Sequence, residues 1–233
     1  RVGMPVDTAA GVDQLSARLQ TSGMLEESVA SDMELRLRTT TENLDLSPRE
    51  PNLSLLLTGT AAQPAPDLAG LVAEPVFGSG HRVVTVDLAR LTSDDHINVL
   101  VGSPAGYIGH GDPLPHDPVQ QMPWCVVVWR NVDACHESIR QLLARIMSTG
   151  ELRDNRGQTV HFSDTVIIAT AAAGTASRPG TTATIGFEVG APGRQDTAEA
   201  EEQLRKTLGK SLVDQFDLVL ERVGTANQGD QNW

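Results

Sequence analysis

Five short apolar runs, each rich in branched aliphatic residues, most constrain the fold of this chain. They are PNLSLLLTG at 51–59, RVVTVD at 82–87, WCVVVW at 124–129, DTVIIATA at 164–171 and FDLVLERV at 216–223. Continuous apolar runs of this length are typical of parallel strands that are buried on both faces. Stretches with helical spacing lie between them, at 67–74, 138–150 and 198–212. Strands that alternate with helices predict an α/β domain with a mainly parallel five-stranded sheet and right-handed crossovers.

The other segments predict helix before the sheet, one hairpin and one loop. Residues 11–40 space their apolar residues at three and four, which indicates helix. Residues 151–162 place two alternating runs around Asp154-Asn155-Arg156-Gly157, which predicts a β-hairpin. The stretch 171–184 is rich in Gly, Ala, Ser and Thr and has no period, so we expect a mobile loop there.

Charge and cysteine content exclude several classes of function. The net charge of −12 argues against nucleic-acid or anionic-membrane partners, since both need a basic surface. Cys125 and Cys135 are the two cysteines, which makes a reducing cytoplasm a simpler interpretation than a disulfide framework. Cys125 lies in an apolar run and is interpreted as a core residue. No apolar run reaches the ~18 residues of a membrane span, and no signal peptide is evident.

Three segments carry a resemblance to a known family. They are VDLARLTSDDHINVLVGSPAGYIG at 86–109, GELRDNRGQTVHFSDTVIIATAAAG at 150–174 and VGMPV at 2–6. The two long segments match, without a gap, the second ATPase module of the Clp family of AAA+ unfoldases, and VGMPV resembles the linker that leads into that module. The likeness runs from about Val2 to about Val219 and is to the protease-partnered, ClpC-like type. It implies the three-layer α/β fold of an AAA+ large subdomain, similar to P-loop NTPases, in the bacterial cytoplasm.

The resemblance also implies a division of the chain. Residues 1–50 would be the helical segment that leads into the AAA+ module, and residues 51–223 the α/β large subdomain. Residues 224–233 look like a disordered tail. The small helical C-terminal subdomain of the family, with its second sensor, is not expected in this sequence. The chain starts at Arg1 rather than Met and is interpreted as a fragment of a longer protein.

The phosphate-binding loop of the family is altered in this chain. Such a loop needs glycines, a Lys for the β- and γ-phosphates and a Ser or Thr hydroxyl for magnesium. The loop aligns from Gly59 to Asp67, where the Lys and Ser/Thr positions are Ala65 and Pro66. Pro64 and Pro66 also remove two N–H donors. The alternative is a misaligned loop, but no G-x-x-x-x-G-K-[ST] pattern occurs in the sequence.

Four further positions of the ATPase reaction are altered. Where the family has an Asp that supports magnesium and a Glu that polarises water, this chain has Arg130 and Asn131. The first-sensor position falls on Ala172 and the arginine-finger position on Gln215. We therefore expect no catalytic residue and no binding of ATP or Mg²⁺. Arg130 either fills the vacated cavity or pairs with a carboxylate, or binds some other anion.

Two contact motifs of the family are retained. Gly106-Tyr107-Ile108-Gly109 has the pattern of the pore loop that grips polypeptide, with glycines that let the loop project. The alternative is that Tyr107 packs on a neighbouring surface. Ile185-Gly186-Phe187 has the pattern of the tripeptide that docks on the ClpP peptidase, where a tethered Phe can act as an anchor. The alternative is that this tripeptide starts the next core element.

The remaining candidate residues have weak patterns. A metal site is not expected at the cluster of two histidines and two aspartates formed by His110, Asp112, His116 and Asp117, because its Pro-rich spacing fixes no ligand geometry. His136 falls just before a helix, where we expect a role at the helix N-terminus rather than in catalysis.

The leading hypothesis is a catalytically inactive Clp-type AAA+ module that acts through protein–protein contacts. Its expected partners are Clp-type AAA+ unfoldase subunits, a ClpP-like peptidase and unfolded polypeptide, and it would modulate the unfoldase or the peptidase. One alternative is part of a longer ATP-dependent chaperone whose hydrolysis is supplied by another module. Another is a structural scaffold or decoy that binds a ClpP-like peptidase. In isolation we expect a monomer or weak oligomer.

Overall fold

The structure is a computed structural model that describes residues 8–22, 25, 27–42, 44, 47–59, 62, 65–172, 183–185 and 202–222. The helices are α1 (Thr8–Asp13), α2 (Leu15–Ser22), α3 (Glu27–Thr41), α4 (Ala65–Phe77), α5 (Ile97–Val101), α6 (Asp117–Gln121), α7 (Glu137–Thr149), α8 (202–208) and α9 (Lys210–Val213), with a 3₁₀ turn at Asp94–His96. The strands are β1 (Leu53–Gly59), β2 (Val83–Asp87), β3 (Val126–Arg130), β4 (Glu151–Arg153), β5 (Thr159–His161), β6 (Val166–Ala171), β7 (Ala183–Ile185) and β8 (Leu218–Arg222).

The main sheet has the strand order β2-β3-β6-β1-β8-β7. Its first five strands are parallel, and each coincides with one of the five predicted apolar runs. The prediction of a mainly parallel five-stranded sheet is therefore confirmed. The sixth strand, β7, pairs antiparallel with β8 at the sheet edge.

Strand β7 corrects part of the loop predicted at 171–184. Ala183 and Thr184 are paired with β8, and Ala171 ends β6. A three-residue strand of sequence Ala-Thr-Ile carries no apolar run long enough to predict, and it exists because the edge of β8 offers backbone partners. Residues 173–182 of the predicted loop lie outside the described residues.

Helices cover both faces of the sheet, which explains why its strands are apolar throughout. On one face, α7, α8 and α9 pack on side chains that include Leu56, Val127 and Ile167. On the other face, α1 to α4 pack on side chains that include Leu55 and Val126. The alternation of neighbouring strand residues between the two core clusters follows from the twofold repeat of a strand.

Two glycines shape the helices around the sheet. Gly150 caps α7 in the left-handed conformation at φ 69°, as the predicted stop. Gly209, at φ 89°, separates α8 from α9, so the single helix predicted at 198–212 is wrong at that point. The start of that stretch, 198–201, lies outside the described residues.

Residues 151–162 form the predicted hairpin, with β4 and β5 antiparallel around the turn 154–157. The helical prediction for residues 11–40 is confirmed as three helices, which belong to the layer on the second face. The predicted linker at 2–6 and the predicted tail at 224–233 lie outside the described residues. Within the described parts of the chain, no helix has the length and apolarity to cross a bilayer.

Candidate functional site

The first part of the candidate site lies where β1 ends and α4 begins. Gly59 ends the strand with φ 57°, and Ala65 starts the helix. The Ala65 methyl is fully buried in the core, whereas Pro66 and Asp67 are exposed in the first helical turn. Asp67 places a carboxylate at the helix N-terminus, where it interacts favourably with the helix dipole and would repel a phosphate. Thr60, Ala61, Gln63 and Pro64 of the aligned loop lie outside the described residues.

Asn131, at the end of β3, connects three strands at the carboxyl edge of the sheet. Its side-chain amide donates to Asp87 Oδ1 on β2 at 2.8 Å, and its backbone N–H donates to Thr170 Oγ1 on β6 at 3.1 Å. The residue has φ 60°, a left-handed conformation that asparagine adopts more readily than most residues. The amide is therefore held by its own chain, and an amide has no proton-accepting group that could activate water.

Arg130 is exposed, so the interpretation that its side chain fills a vacated cavity is wrong. Among the described residues it forms no ion pair, but its charge acts on the Asp87 carboxylate. The backbone N–H of Ala89, the amide of Asn131 and the guanidinium of Arg130 together hold the pKa of Asp87 below its usual range. The Asp87 carboxylate is therefore stabilised in its ionised form mainly by hydrogen bonds from its own chain.

Ala172 follows β6 at the same edge of the sheet. Its backbone N–H donates to Asp133 Oδ2 at 3.1 Å, and its methyl group is exposed. The structure therefore brings six of the predicted positions to one edge: Gly59, Ala65, Pro66, Arg130, Asn131 and Ala172. The two carboxylates nearby, Asp87 and Asp133, each accept a hydrogen bond from the chain.

Gln215 lies at the opposite edge of the sheet. Its carbonyl accepts a hydrogen bond from Ser54 Oγ at 3.2 Å, next to the amino end of β1. Asp217 reinforces this edge by accepting from the N–H and the hydroxyl of Ser54, both at 2.8 Å. Because β1 has seven residues, Gln215 is about 20 Å from Gly59. Gln215 is therefore too far from Gly59 to contact a ligand bound at the carboxyl edge of this chain.

The loop between α5 and α6 projects Tyr107 and Ile108 into solvent. The Tyr107 side chain is 72% exposed and that of Ile108 is 101% exposed. Gly106 and Gly109 flank the pair with φ 90° and 88°, a backbone conformation that side chains disfavour. Within the described parts of the chain, Tyr107 is not buried against a neighbouring surface. The arrangement can offer an aromatic and an aliphatic group to a polypeptide without sequence selectivity.

The turn of the β4–β5 hairpin contacts this loop on both sides. Asn155 Nδ2 donates to the carbonyl of Gly102 at 2.6 Å. Arg156 donates from two guanidinium nitrogens to the carboxylate of Asp117 and also bonds Asp154. The hydrogen bond from Arg156 is the main cause that lowers the pKa of Asp117. The sequence indicated a hairpin turn here but gave no sign of its contact with the loop.

His116 is a core residue. Trp129 Nε1 donates to His116 Nε2 at 3.2 Å, and Phe162 packs edge-on against the imidazole with ring centroids 5.4 Å apart. Since Nε2 is the acceptor, the proton of the neutral ring is on Nδ1. Burial lowers the pKa of His116 to about 4, against a smaller opposing effect of Asp117.

The other members of the histidine–aspartate cluster have separate partners. His110 Nδ1 contacts the carbonyl of Ser103 at 2.8 Å, and Asp117 is paired with Arg156. In the part of the chain that the structure describes, no group of three or more His, Cys, Asp or Glu side chains is placed to hold a metal ion. His136 is the N-cap of α7 and accepts a hydrogen bond from the Ser138 N–H, which confirms its predicted role.

The predicted docking tripeptide is described at its first residue only. The backbone of Ile185 ends β7, opposite Val219 of β8. Gly186 and Phe187 lie outside the described residues. The two interpretations of this tripeptide therefore both remain predictions.

Comparisons with known proteins agree with this architecture. The family model for the AAA domain (Cdc48 subfamily) matches residues 50–219. The chain is 25% identical over 232 residues to the ATP-dependent Clp protease ATP-binding subunit ClpE of Bacillus subtilis. The matched region covers 95% of this chain and 32% of that protein. It is 29% identical over 170 residues to the subunit ClpC of Staphylococcus aureus, covering 72% of this chain and 20% of that protein. It is 33% identical over 125 residues to heat shock protein 100 of Trypanosoma brucei brucei, covering 53% and 14%.

A solved structure shares the fold. The closed-state cryo-electron microscopy reconstruction of Hsp104 with ATPγS and FITC casein matches with a TM-score of 0.74 and 19% identity, over 90% of this chain and 35% of that chain. The chain thus spans about a third or less of the length of the curated relatives that it matches. By the family model over 50–219 and these relatives, the chain belongs to the Clp/Hsp100 family of AAA+ proteins and corresponds to its second module.

Proposed function

We propose that this chain is a catalytically inactive Clp-type AAA+ module that acts through protein–protein contacts. The observation that carries the proposal is the bonding of Asn131. Its amide bonds Asp87 and its N–H bonds Thr170, at the position where the family polarises water. The buried methyl of Ala65 and the carboxylate of Asp67 add to this, because neither can hold a phosphate.

Calorimetric titration of the chain with Mg-ATP tests the loss of the nucleotide site. We expect no binding at micromolar nucleotide and no release of phosphate above the buffer blank. A melting temperature that does not change with Mg-ATP is the matching result, since a ligand that binds the native state would raise it. Micromolar binding together with phosphate release would refute the proposal.

The exposed pair Tyr107 and Ile108 is the proposed contact with unfolded polypeptide. The side chains of Tyr107 and Ile108, at 72% and 101% exposure, do not pack in the core of the described chain. Neighbouring exposed groups of this kind are typical of contact sites, and an aromatic anchor can bind varied sequences. Without hydrolysis in this module, the contact is passive, or an active neighbouring subunit moves it.

Fluorescence anisotropy with labelled, permanently unfolded casein tests this contact. The double variant Tyr107→Ala, Ile108→Ala should weaken binding by about tenfold or more, as expected for loss of an interface anchor. The matched control is Leu35→Ala, which removes another exposed apolar side chain, 65% exposed on α3. Equal binding by the natural chain and the loop variant would exclude the loop as the contact.

We further propose that the module modulates a Clp unfoldase or a ClpP-like peptidase in the bacterial cytoplasm. The relatives named above as subunits of Clp proteases support the choice of partner. Docking would use Ile185-Gly186-Phe187, with Phe187 as the anchor. Peptidase binding that survives Phe187→Ala would contradict this route.

A second candidate is a module of a longer ATP-dependent chaperone whose hydrolysis another module supplies. The observation that favours it is the short span of this chain on its relatives, from 14% to 32% of their length. Intact phosphate-loop and acidic motifs elsewhere in the parent protein would distinguish it from an inactive subunit in a mixed ring.

A further inference from the structure

The loop that carries Tyr107 and Ile108 is anchored at its start by Asn155. The Asn155 side-chain amide donates to the carbonyl of Gly102 at 2.6 Å, and its backbone N–H donates to the carbonyl of Val101 at 2.7 Å. Both acceptors lie at the end of α5, where the helix stops and the loop begins. A carbonyl at a helix C-terminus lacks a helical partner, so these two bonds fix the direction in which the chain leaves the helix.

Arg156 anchors the other end of the loop. Its two terminal nitrogens bond the two oxygens of Asp117, one of them at 3.1 Å, and one nitrogen also donates to the carbonyl of Asp112 at 3.4 Å. Asp117 in turn accepts the backbone N–H of Leu114 at 2.7 Å. The guanidinium therefore holds the returning segment of the loop through a paired, charge-assisted contact.

This anchor is itself rigid. Arg156 Nε donates to Asp154 Oδ2 at 2.8 Å, and the other oxygen of Asp154 accepts the backbone N–H groups of Arg156 and Gln158 at 3.0 and 2.8 Å. The side chains of Asp154, Arg156 and Asp117 are 1%, 16% and 23% exposed. Ion pairs at this burial and with two-pronged geometry fix a conformation better than exposed surface pairs do.

Between the anchors, the loop bonds mainly to itself. The Tyr107 N–H donates to the carbonyl of Pro104 at 3.1 Å, the His110 N–H to that of Tyr107 at 3.3 Å and the Asp112 N–H to that of Gly109 at 3.1 Å. His110 Nδ1 also contacts the carbonyl of Ser103 at 2.8 Å. These bonds shape the tip but join it only to its own loop, so its direction depends on the two ends of the loop.

We infer that Asn155 and Arg156 are positioning residues, which hold the loop so that Tyr107 and Ile108 face an incoming polypeptide. This inference rests on the proposed polypeptide contact. The hairpin turn 154–157 acts as a clamp that closes on both ends of the loop, and its contacts are made by Asn155 and Arg156 rather than by Asn131 or Asp87.

Hydrogen exchange tests the positioning directly and needs no partner. In Arg156→Gln the amides of Tyr107, His110 and Asp112 should exchange about tenfold faster, which corresponds to the loss of one charge-assisted hydrogen bond. Amides in β3 and β6 should keep their rates. Arg153→Gln is the matched control, because it removes an exposed arginine of the same hairpin without touching the loop.

Casein binding then tests the functional consequence. Arg156→Gln and Asn155→Ala should each weaken binding at least about threefold, and Arg156→Lys should fall between, because lysine keeps the charge but loses the two-pronged geometry. In the Tyr107→Ala, Ile108→Ala background, Arg156→Gln should have no further effect, since residues acting through one contact are not additive.

The outcomes distinguish the clamp on the loop from the proposed contact with polypeptide. Unchanged loop exchange in both Arg156→Gln and Asn155→Ala would overturn the inference, whatever the binding result. Faster loop exchange with unchanged casein binding would overturn the link to polypeptide contact. Faster loop exchange in Arg156→Gln, together with a natural chain that does not bind casein, would support the clamp and refute the proposed polypeptide contact. If Arg156→Gln also speeds exchange in β3 and β6, Asn155→Ala, which leaves the ion pairs intact, decides the matter.

Discussion

The burial of His116 predicts that the protein loses stability as the pH falls from neutral to about 5. His116 is 1% exposed and accepts a hydrogen bond from Trp129, so the folded protein holds the imidazole neutral. Its pKa is about 4 in the fold, against 6.5 ordinarily, and the largest cause is burial. Below pH 6.5 the unfolded chain binds a proton that the folded chain refuses, so acid favours unfolding.

The magnitude follows from the two pKa values. The stability supplied by the neutral imidazole is fully present above pH 6.5 and is lost progressively as the pH falls towards 4. A difference of about 2.5 between the two pKa values corresponds to about 3 kcal/mol, of which about 2 kcal/mol is lost between about pH 7 and about pH 5. Asp117 and Asp154 do not contribute in this window, because their pKa values are lowered and both remain ionised.

Urea unfolding followed by circular dichroism at a series of pH values measures this loss. The control is His116→Gln, whose side-chain oxygen can still accept from Trp129 but cannot titrate. The other five histidines are present in both proteins, so the difference between the two pH profiles isolates His116. The natural chain should lose about 2 kcal/mol more than the variant over this range. Parallel profiles would refute the buried neutral imidazole.

Three further predictions concern other contacts. Asn131→Asp should lower the free energy of unfolding by about 1 kcal/mol or more at neutral pH, because it replaces a donor to Asp87 by a second carboxylate, and the loss should shrink in acid. In Gly11→Ala the free energy of unfolding measured by thermal unfolding should fall by about 3 kcal/mol, because the added Cβ would lie 1.8 Å from a carbonyl oxygen of α4. Burial raises the pKa of Cys125 to about 12 and that of Cys135 to about 11, so neither thiol should react with iodoacetamide at about pH 8 until denaturant is added; reaction at the free-thiol rate would show that they are accessible.

Most of the sheet could be predicted because burial on both faces leaves a strong local signal. Runs such as 124–129 and 164–171 have no polar face, so their strand character does not depend on distant partners. Strand β7 lacks that signal, because its backbone pairing with β8 is set by tertiary position. The break at Gly209 was also missed, since a glycine inside a helical pattern does not by itself distinguish a tolerated residue from a positive φ.

The candidate site could also be predicted only in part. The resemblance assigned Arg130, Asn131 and Ala172 to positions of one reaction, and the parallel register places them at one edge of the sheet. It could not give the bonds that these positions form, because the partners Asp87 and Thr170 come from other strands. The sequence offered one signal that could have revealed the Asn131–Asp87 bond. Asp87 ends a strand at the same edge as Asn131, and carboxyl ends of neighbouring parallel strands meet.

The contacts of the clamp with the loop could not be predicted from the sequence. The sequence groups Asp117 and His116 with His110 and Asp112, where no metal site is expected. In the structure Asp117 pairs with Arg156 and His116 packs in the core. Asp117 and its partner Arg156 are 39 residues apart in the chain, and the partner of His116 is Trp129 on the buried strand β3. Residues that are close in the sequence, such as His116 and Asp117, therefore have different partners in the fold. Residues that are far apart, such as Asp117 and Arg156, form a pair.

The carboxyl edge and the loop clamp are built from different residues, and this bears on how such a module could work without nucleotide. At the edge, Asn131 ties β2, β3 and β6 together, and Asp133 bonds the backbone that follows β6. Side chains of the chain itself thus make the cross-strand contacts at the place where an ATPase would hold phosphate and metal. The loop is held instead by Asn155 and Arg156 from a hairpin outside the main sheet. Because Asn155 and Arg156 bond neither Asn131 nor Asp87, we expect the loop to keep its shape whether or not the edge binds nucleotide.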